Sequence, residues 1–341
     1  MSTETYKCKW QLRLPDGTRQ NGSSAGICNG LQIPGFVISP FDTGEHQVIT
    51  IPTGDTAAGF SQLMDVEGHK SLPEAATTRK RHLRNVALAG LYHRENDTRG
   101  KTVISRVSIH QTELSAEELF RNLDRLYPDA CIFSFDTPAT GAWVGASPEL
   151  LLEAHNGTLH TMSLAGTRPA GTTEEWGWDD KNIVEQQIVT DTICDTFRQH
   201  GLAPVTTEPQ TLRAGSVEHR CTHITADLPP HWDKGCLQRL LADLSPTPAL
   251  GGYPRDASIS LIKRLEKHDR SCYGGYFGYI ESATEFRFNV CLRCAQLADG
   301  KAYIYTGGGI TSLSDPEAEW EETCRKAQTM LAALGITSSQ G

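Results

Sequence analysis

The sequence predicts a mixed α/β (α+β) chain. Short β-branched and apolar runs are punctuated by Gly, Pro, Asn and Asp turns, and Asn156-Gly157 and Asp299-Gly300 signal hairpins. Helical periodicity appears at 180–200, 258–268 and 314–335. At 341 residues the chain has room for one large domain or two ordinary ones. The net charge of −9, from 32 Lys+Arg against 41 Asp+Glu with no basic block, argues against nucleic acid or an anionic membrane as main partner. A small anionic substrate stays compatible, because a local pocket can be cationic on an acidic protein. The N-terminal residues show no basic region followed by an apolar run, and no segment approaches a membrane span, so a cytoplasmic protein is expected. Ten cysteines are scattered from Cys8 to Cys324 and read as reduced, mostly buried thiols. Cys291 and Cys294 are the one close pair; on a strand they face opposite sides and cannot chelate together without a bulge.

In chain order, residues 1–100 read as scaffold, with strand-like runs at 32–39 and 47–51, helices at 56–65 and 72–83, and unassigned single histidines His69, His82 and His93. Residues 101–110 read as a strand opening on Lys101, which is either an exposed charge or, if buried, a general base. A helix at 112–126 follows, with Leu114, Leu119 and Leu123 on its inner face. Strands at 131–135 and 142–145 lead to a hairpin of 149–153 with 158–164. Glu149 enters that hairpin among leucines, either as an acid with a raised pKa or as an edge glutamate paired with an arginine. Gly166, Thr167, Arg168 and Gly171 make a polar turn able to supply donors.

The helix at 180–200 is capped by Asp179 or Asp180 and ended by Gly201, and Val189, Ile193 and Phe197 form its inward ridge. Glu185 stands on that ridge and needs a partner, a metal or a buried Arg or Lys. His219 and Cys221 share one face of a strand at 217–222, and a short helix covers 235–243. The Pro/Gly-rich loop 244–254 walls a pocket, and Tyr273 lies in a glycine-broken strand. A last hairpin pairs 285–297 with 301–305 and places Arg293 above the sheet, where it can meet an anion.

The chain's richest stretch is 305–326. Gly307, Gly308 and Gly309 can bring backbone N–H groups close to a carboxylate. The following helix reads as capped by Ser314 with Glu317, with Pro316 in its first turn and Trp320, Cys324, Ala327, Leu331 and Leu334 as its core stripe. Glu319, Glu322 and Lys326 share a neighbouring face beside the glycines. The alternatives are a solvated face with one Glu322–Lys326 pair, or a site that binds a small anion through a metal.

The blocks KTVISR, GASPELL, LAGTRPAG, KNIVEQ, VEHRCT, SPTPALGG, RSCYGGYFGY, CLRCA, TGGGI and SDPEAEWEETCRK follow one another across residues 101–326. In order and spacing they resemble the chorismate-utilising enzymes, which comprise isochorismate and salicylate synthases and the large subunits of anthranilate and aminodeoxychorismate synthases. Residues 1–100 match only through VISPF. The resemblance implies two large, stacked, mostly antiparallel sheets with helices on their outer faces, forming a single chorismate-binding domain over 1–341 with a divergent scaffold at 1–100 and a catalytic part at 101–330. It implies Mg²⁺ held by Glu185 and Glu322, with Glu319 helping through water. The ring carboxylate would lie on that Mg²⁺ near Gly166 and Thr167, and the enolpyruvyl carboxylate would meet Tyr273, Arg293, Gly307 and Lys326.

Lysine at position 101 is similar to the members that use water, implying Lys101 as base at C2 and Glu149 as acid toward the C4 hydroxyl. His219 and Thr167 would orient substrate, and Ala249 and Leu250 belong to a loop of isochorismate synthase type. The implied activity is a Mg²⁺-dependent isochorismate synthase serving a menaquinone or siderophore pathway, as monomer or homodimer, without a glutaminase subunit. A salicylate synthase or a catalytically weak chorismate-binding paralogue are the alternatives. Two positions depart from the family: Asn182 and Gln186 stand where an acidic residue and a histidine are common.

Overall fold

The structure, a computed structural model, describes residues 8–53, 71–96, 99–171 and 177–336. Strands β1 (Cys8–Arg13), β2 (Arg19–Ser24), β3 (Cys28–Asn29), β4 (Gly35–Ser39) and β5 (Ile49–Pro52) precede helix α1 (Arg79–Asn96). Next come β6 (Lys101–Gln111), α2 (Ala116–Leu126), β7 (Cys131–Thr137), β8 (Gly141–Ser147), β9 (Leu150–His155), β10 (Thr158–Pro169) and α3 (Asp180–Gln199). Strands β11 (Val205–Thr206), β12 (Gln210–Ala214) and β13 (Val217–Asp227) lead to α4 (Lys234–Leu244), β14 (Gly252–Tyr253) and α5 (Arg255–Leu265). The chain continues through β15 (Tyr276–Ser282), β16 (Glu285–Val290), β17 (Cys294–Ala298), β18 (Lys301–Ile310) and α6 (Pro316–Ala333).

These strands form two large antiparallel sheets, as expected. One has eight strands in the order β14-β6-β18-β17-β8-β7-β1-β2; the other has ten, in the order β11-β13-β10-β9-β16-β15-β4-β5-β3 with β12 beside β13. Alternation along the strands divides the core. Phe133, Phe135, Trp143 and Tyr305 join the large cluster shared with the ten-stranded sheet, while Ile132, Val144 and Ile304 pack under Leu119 and Leu123 of α2 and Met330 of α6. Helices therefore cover the outer face of the eight-stranded sheet. Across the interface Trp10 of β1 stacks on Phe36 of β4 at 4.7 Å between ring centroids, and Phe133 meets Phe277 at 3.9 Å. The same alternation along β6 turns Ile104 toward α1 and α5 and leaves Lys101 and Val103 on the inner side.

Several local expectations are corrected. The helix expected at 56–65 and His69 lie outside the described residues. The helix expected at 72–83 begins at Arg79, after Pro73. That expected at 112–126 begins at Ala116, because Ser115 caps it in a reciprocal box with Glu118. Helix α6 is capped by Asp315, whose side chain accepts from the Ala318 N–H; Ser314 donates instead to Glu319, and Glu317 pairs with Arg79. The stripe from Trp320 to Leu334 is largely half-buried, and the fully buried line is Glu319, Glu322, Thr323, Ala327, Met330 and Ala333. The expected strand 285–297 is two strands in different sheets, broken where Arg293 takes φ 46°. That break brings Cys291 Sγ to 3.8 Å from Cys294 Sγ instead of opposing them. The ten cysteines, all within the described residues, are free thiols and eight are buried. The 244–254 loop contains the short strand β14, and Tyr273 sits in the turn before β15.

Candidate active site

A small cavity, of about 50 Å³, lies between the sheets. Glu149, Gly166, Thr167, Glu185, His219, Ala249, Leu250, Tyr273, Arg293, Gly307 and Lys326 all line it, so every expected substrate contact reaches one wall or another. Lys101, Glu319 and Glu322 are not on the lining; they stand around the glycines of β18. Those glycines are not a turn, since Gly307, Gly308 and Gly309 pair with Ser105, Ile104 and Val103 of β6. Their missing side chains make room. A Cβ on Gly308 would stand 2.8 Å from Glu319 Oε2, and one on Gly309 would overlap Glu185 Oε1 and Lys101 Cε.

Into that space come three carboxylates and three lysines, with the carboxylates from two helices. Lys101 is fully buried, and its Nζ lies 3.0 Å from Glu185 Oε1 without hydrogen-bond alignment, leaving it no hydrogen-bond partner. Lys181 Nζ lies 3.0 Å from Glu185 Oε2 and 3.0 Å from Glu319 Oε1. Lys326 Nζ donates to Glu322 Oε1 at 2.6 Å and to the Gly307 carbonyl at 2.9 Å. Burial works to raise the Glu185 pKa, but Lys101, Lys181 and Lys326 hold it well below the usual carboxylate range. Glu319 behaves oppositely: burial, with Glu322 and Glu185 nearby, lifts it to about 7 against the pull of Lys181. Its Oε1 accepts from Ser314, and its Oε2 has no partner.

Among the described residues no group of three or more His, Cys, Asp or Glu side chains converges as metal ligands do. The chemistry of the set nevertheless suits a hard divalent cation, with buried carboxylates, one orphaned oxygen and a cradle that a Cβ would fill.

On the opposite wall Glu149 is 2 % exposed, and burial pushes its carboxyl up to about 8 against the pull of Lys101 and Lys326. It is not an edge glutamate paired with an arginine. Gly166 bulges β10 at φ 72°, where a Cβ would strike the Asn182 carbonyl. Asn182 Oδ1 accepts from the Thr167 N–H at 2.8 Å, so the amide at this departing position holds the bulge. Gln186, the other departure, contacts the hydroxyls of Ser163, Thr190 and Thr222 instead of the carboxylates. His219 Nδ1 faces the Gly166 carbonyl at 3.1 Å, which assigns the proton to Nδ1 and leaves Nε2 to accept from Arg293 at 2.9 Å. Burial, with Arg293 and Lys326 nearby, drives the His219 pKa far down and keeps it neutral. Arg293 is buried, and that burial lowers its pKa to about 10, so it remains cationic at neutral pH.

Sequence reasoning missed Lys181, although Lys181 and Glu185 stand at the i, i+4 spacing of an ordinary helix pair. It also missed the apolar lining from Val103, Pro148, Leu292 and Tyr305, which carries no signal of its own in one sequence.

The model of the family described as chorismate binding enzyme matches residues 61–335. The salicylate biosynthesis isochorismate synthase of Pseudomonas aeruginosa is 31% identical over 248 residues, covering 69% of this chain and 51% of that protein. The isochorismate synthase EntC of Escherichia coli is 28% identical over 289 residues, covering 81% of this chain and 71% of that protein. The chain thus spans about half the length of the first of these relatives. Among solved structures, the menaquinone-specific isochorismate synthase MenF of Escherichia coli superposes with a TM-score of 0.78 at 22% identity, over 98% of this chain and 90% of that one. That likeness concerns the fold. No helix among the described residues is long and apolar enough to cross a membrane.

Proposed function

The chain belongs to the chorismate binding enzyme family, and from that membership we propose that it is an isochorismate synthase, adding water at C2 of chorismate with loss of the C4 hydroxyl. One observation carries the reading. A carboxylic acid that keeps its proton at neutral pH lines the cavity, and a buried lysine without a hydrogen-bond partner stands behind its glycine wall beside Glu185, as an acid and a base acting on one ring require.

In this reading Arg293, Lys326, Tyr273 and the Gly307 backbone hold the enolpyruvyl carboxylate, and the Gly166–Thr167 bulge lies along the ring carboxylate. Neutral His219 stiffens Arg293 and turns with it toward the substrate. Ala249 and Leu250 exclude bulk water from the ring. Lys101, as the free amine, takes a proton from the attacking water, while Glu149 gives its own to the departing hydroxyl, so the ring never carries a free hydroxide leaving group. Glu185 and Glu322, with Glu319 through water, would hold Mg²⁺, which supplies charge neutralisation for the substrate's carboxylate. The whole chain acts as one chorismate-binding unit in the cytoplasm, as monomer or homodimer, and the described residues of 1–100 contribute strands and α1 without lining the cavity. The product would enter a menaquinone or siderophore route.

Incubating the protein with chorismate and Mg²⁺, with and without ammonium, and separating the products tests the reading. Isochorismate without pyruvate is the expected result. Salicylate with pyruvate would replace it by the pyruvate-eliminating activity, and aminated products appearing only with ammonium would overturn the assignment of Lys101.

A further inference from the structure

Lys181 bridges two of the three carboxylates proposed above as cation ligands. Its Nζ is 3.0 Å from Glu185 Oε2 on its own helix, and 3.0 Å from Glu319 Oε1 on α6. The other two lysines are bound elsewhere: Lys101 beside Glu185 Oε1, and Lys326 between Glu322 and the Gly307 carbonyl. With Glu319 ionised, three ammonium groups therefore already match three carboxylates in a largely buried space. Adding a divalent cation to that set would bury two uncompensated positive charges; the proton that Lys101 must lose to act as base removes one, and the departure of a second lysine removes the other.

A lysine has to leave, and the surroundings select which. Lys101 has 1% of its side chain exposed and is walled in, and Lys326 is tied to backbone as well as carboxylate. Lys181 sits in the first turn of α3 with 17% of its side chain exposed, and its four-carbon stem can carry the ammonium to solvent. A second observation points to a ligand at the same spot. Glu319 is 3% exposed, yet its Oε2 has no partner and borders the space over Gly308 that a Cβ would fill.

We propose that Lys181 is a built-in stand-in cation: it holds Glu185 and Glu319 together in the metal-free protein and must swing out when a divalent cation enters. The inference rests on the proposed metal site. It makes cation affinity a competition, in which the side chain of residue 181 weakens binding without belonging to the ligand set.

Two measurements test it without turnover. Titrating Mg²⁺ alone into the wild-type protein and Lys181→Met by calorimetry should show roughly ten-fold tighter binding to the variant. A lysine with a merely structural role would leave affinity unchanged or lower it, and that result overturns the proposal. In the wild-type protein, amine-directed labelling read by mass spectrometry should increase at Lys181 when Mg²⁺ is added, and unchanged labelling overturns it equally. Glu322→Gln separates the two levels. A Mg²⁺ response in wild type that Glu322→Gln removes, combined with no gain in Lys181→Met, sinks the lysine and leaves the metal site; no response in any of the three sinks both.

Discussion

Glu149 is 2 % exposed, and its carboxyl keeps a proton at neutral pH because burial outweighs the pull of Lys101 and Lys326. Its pKa rises from an ordinary 4.5 to about 8, so the folded protein binds this proton more tightly than the unfolded chain does. The stabilisation is complete below 4.5 and is lost as pH rises through about 8. Two consequences can be measured. Turnover should fall as pH passes about 8, and Glu149→Gln should cost roughly 10²- to 10⁴-fold in kcat while making thermal stability less sensitive to pH across that window. A pH–rate profile flat through 8 and a variant with wild-type kcat would remove the acid role. Glu149 was legible as a candidate because a charge set among leucines stands out from its neighbours, and Arg293 because alternation along the expected strand 285–297 set it above the sheet with Arg287. Lys181 was not, since an i, i+4 Lys–Glu pair looks the same on a solvated helix face, and only packing α3 beside α6 brings Glu319 within reach.

Helix α6 shows how apolar periodicity misreads an element whose buried face is charged. Counting hydrophobic residues selected the line through Trp320 and Cys324, whereas the side toward β18 carries Glu319, Glu322 and Thr323. Those groups are buried because Lys181, Lys326 and Arg106 meet them, and Lys181 and Arg106 lie far away in sequence. Periodicity did give the helix its existence and its place after the glycines. It gave the wrong cap because Ser314 spends its hydroxyl on Glu319, leaving Asp315 to accept the first-turn N–H. The glycines read as a ligand-binding turn, but they form strand because their function is to make room. Gly308→Ala tests this directly. A Cβ 2.8 Å from Glu319 Oε2 should destabilise the protein by about 1–3 kcal/mol in denaturant unfolding and blunt its thermal shift with Mg²⁺. Wild-type stability with an unchanged Mg²⁺ shift would show that the space over β18 is not used.

The site exists only where the two sheets meet. Lys101 and Gly307 come from the eight-stranded sheet, Gly166, Thr167 and His219 from the ten-stranded one, and Glu185, Glu322 and Lys326 from the helices at the junction. The architecture was legible through the ordered motifs of residues 101–326 and the resemblance they carry, while pattern alone gave no more than a mixed α/β class. Residues 1–100 read as scaffold without a motif, and the reason is visible in the pairing. β1 and β2 extend one sheet and β3, β4 and β5 extend the other, and the strands that join them to the rest, β7 beside β1 and β15 beside β4, lie more than a hundred positions away. The break at Arg293 was likewise hidden, since a continuous alternating pattern gives no sign that a chain changes sheets.

The proposed reaction adds solvent water at C2 and releases the original C4 hydroxyl. Turnover of chorismate in ¹⁸O-labelled water, with the product analysed by mass spectrometry, measures this most directly. The expected product is isochorismate carrying a single solvent-derived oxygen, located at C2, with no such product from Lys101→Ala. Isochorismate formed without solvent label would mean that the hydroxyl migrates within the substrate, and would contradict the roles given to Lys101 and Glu149.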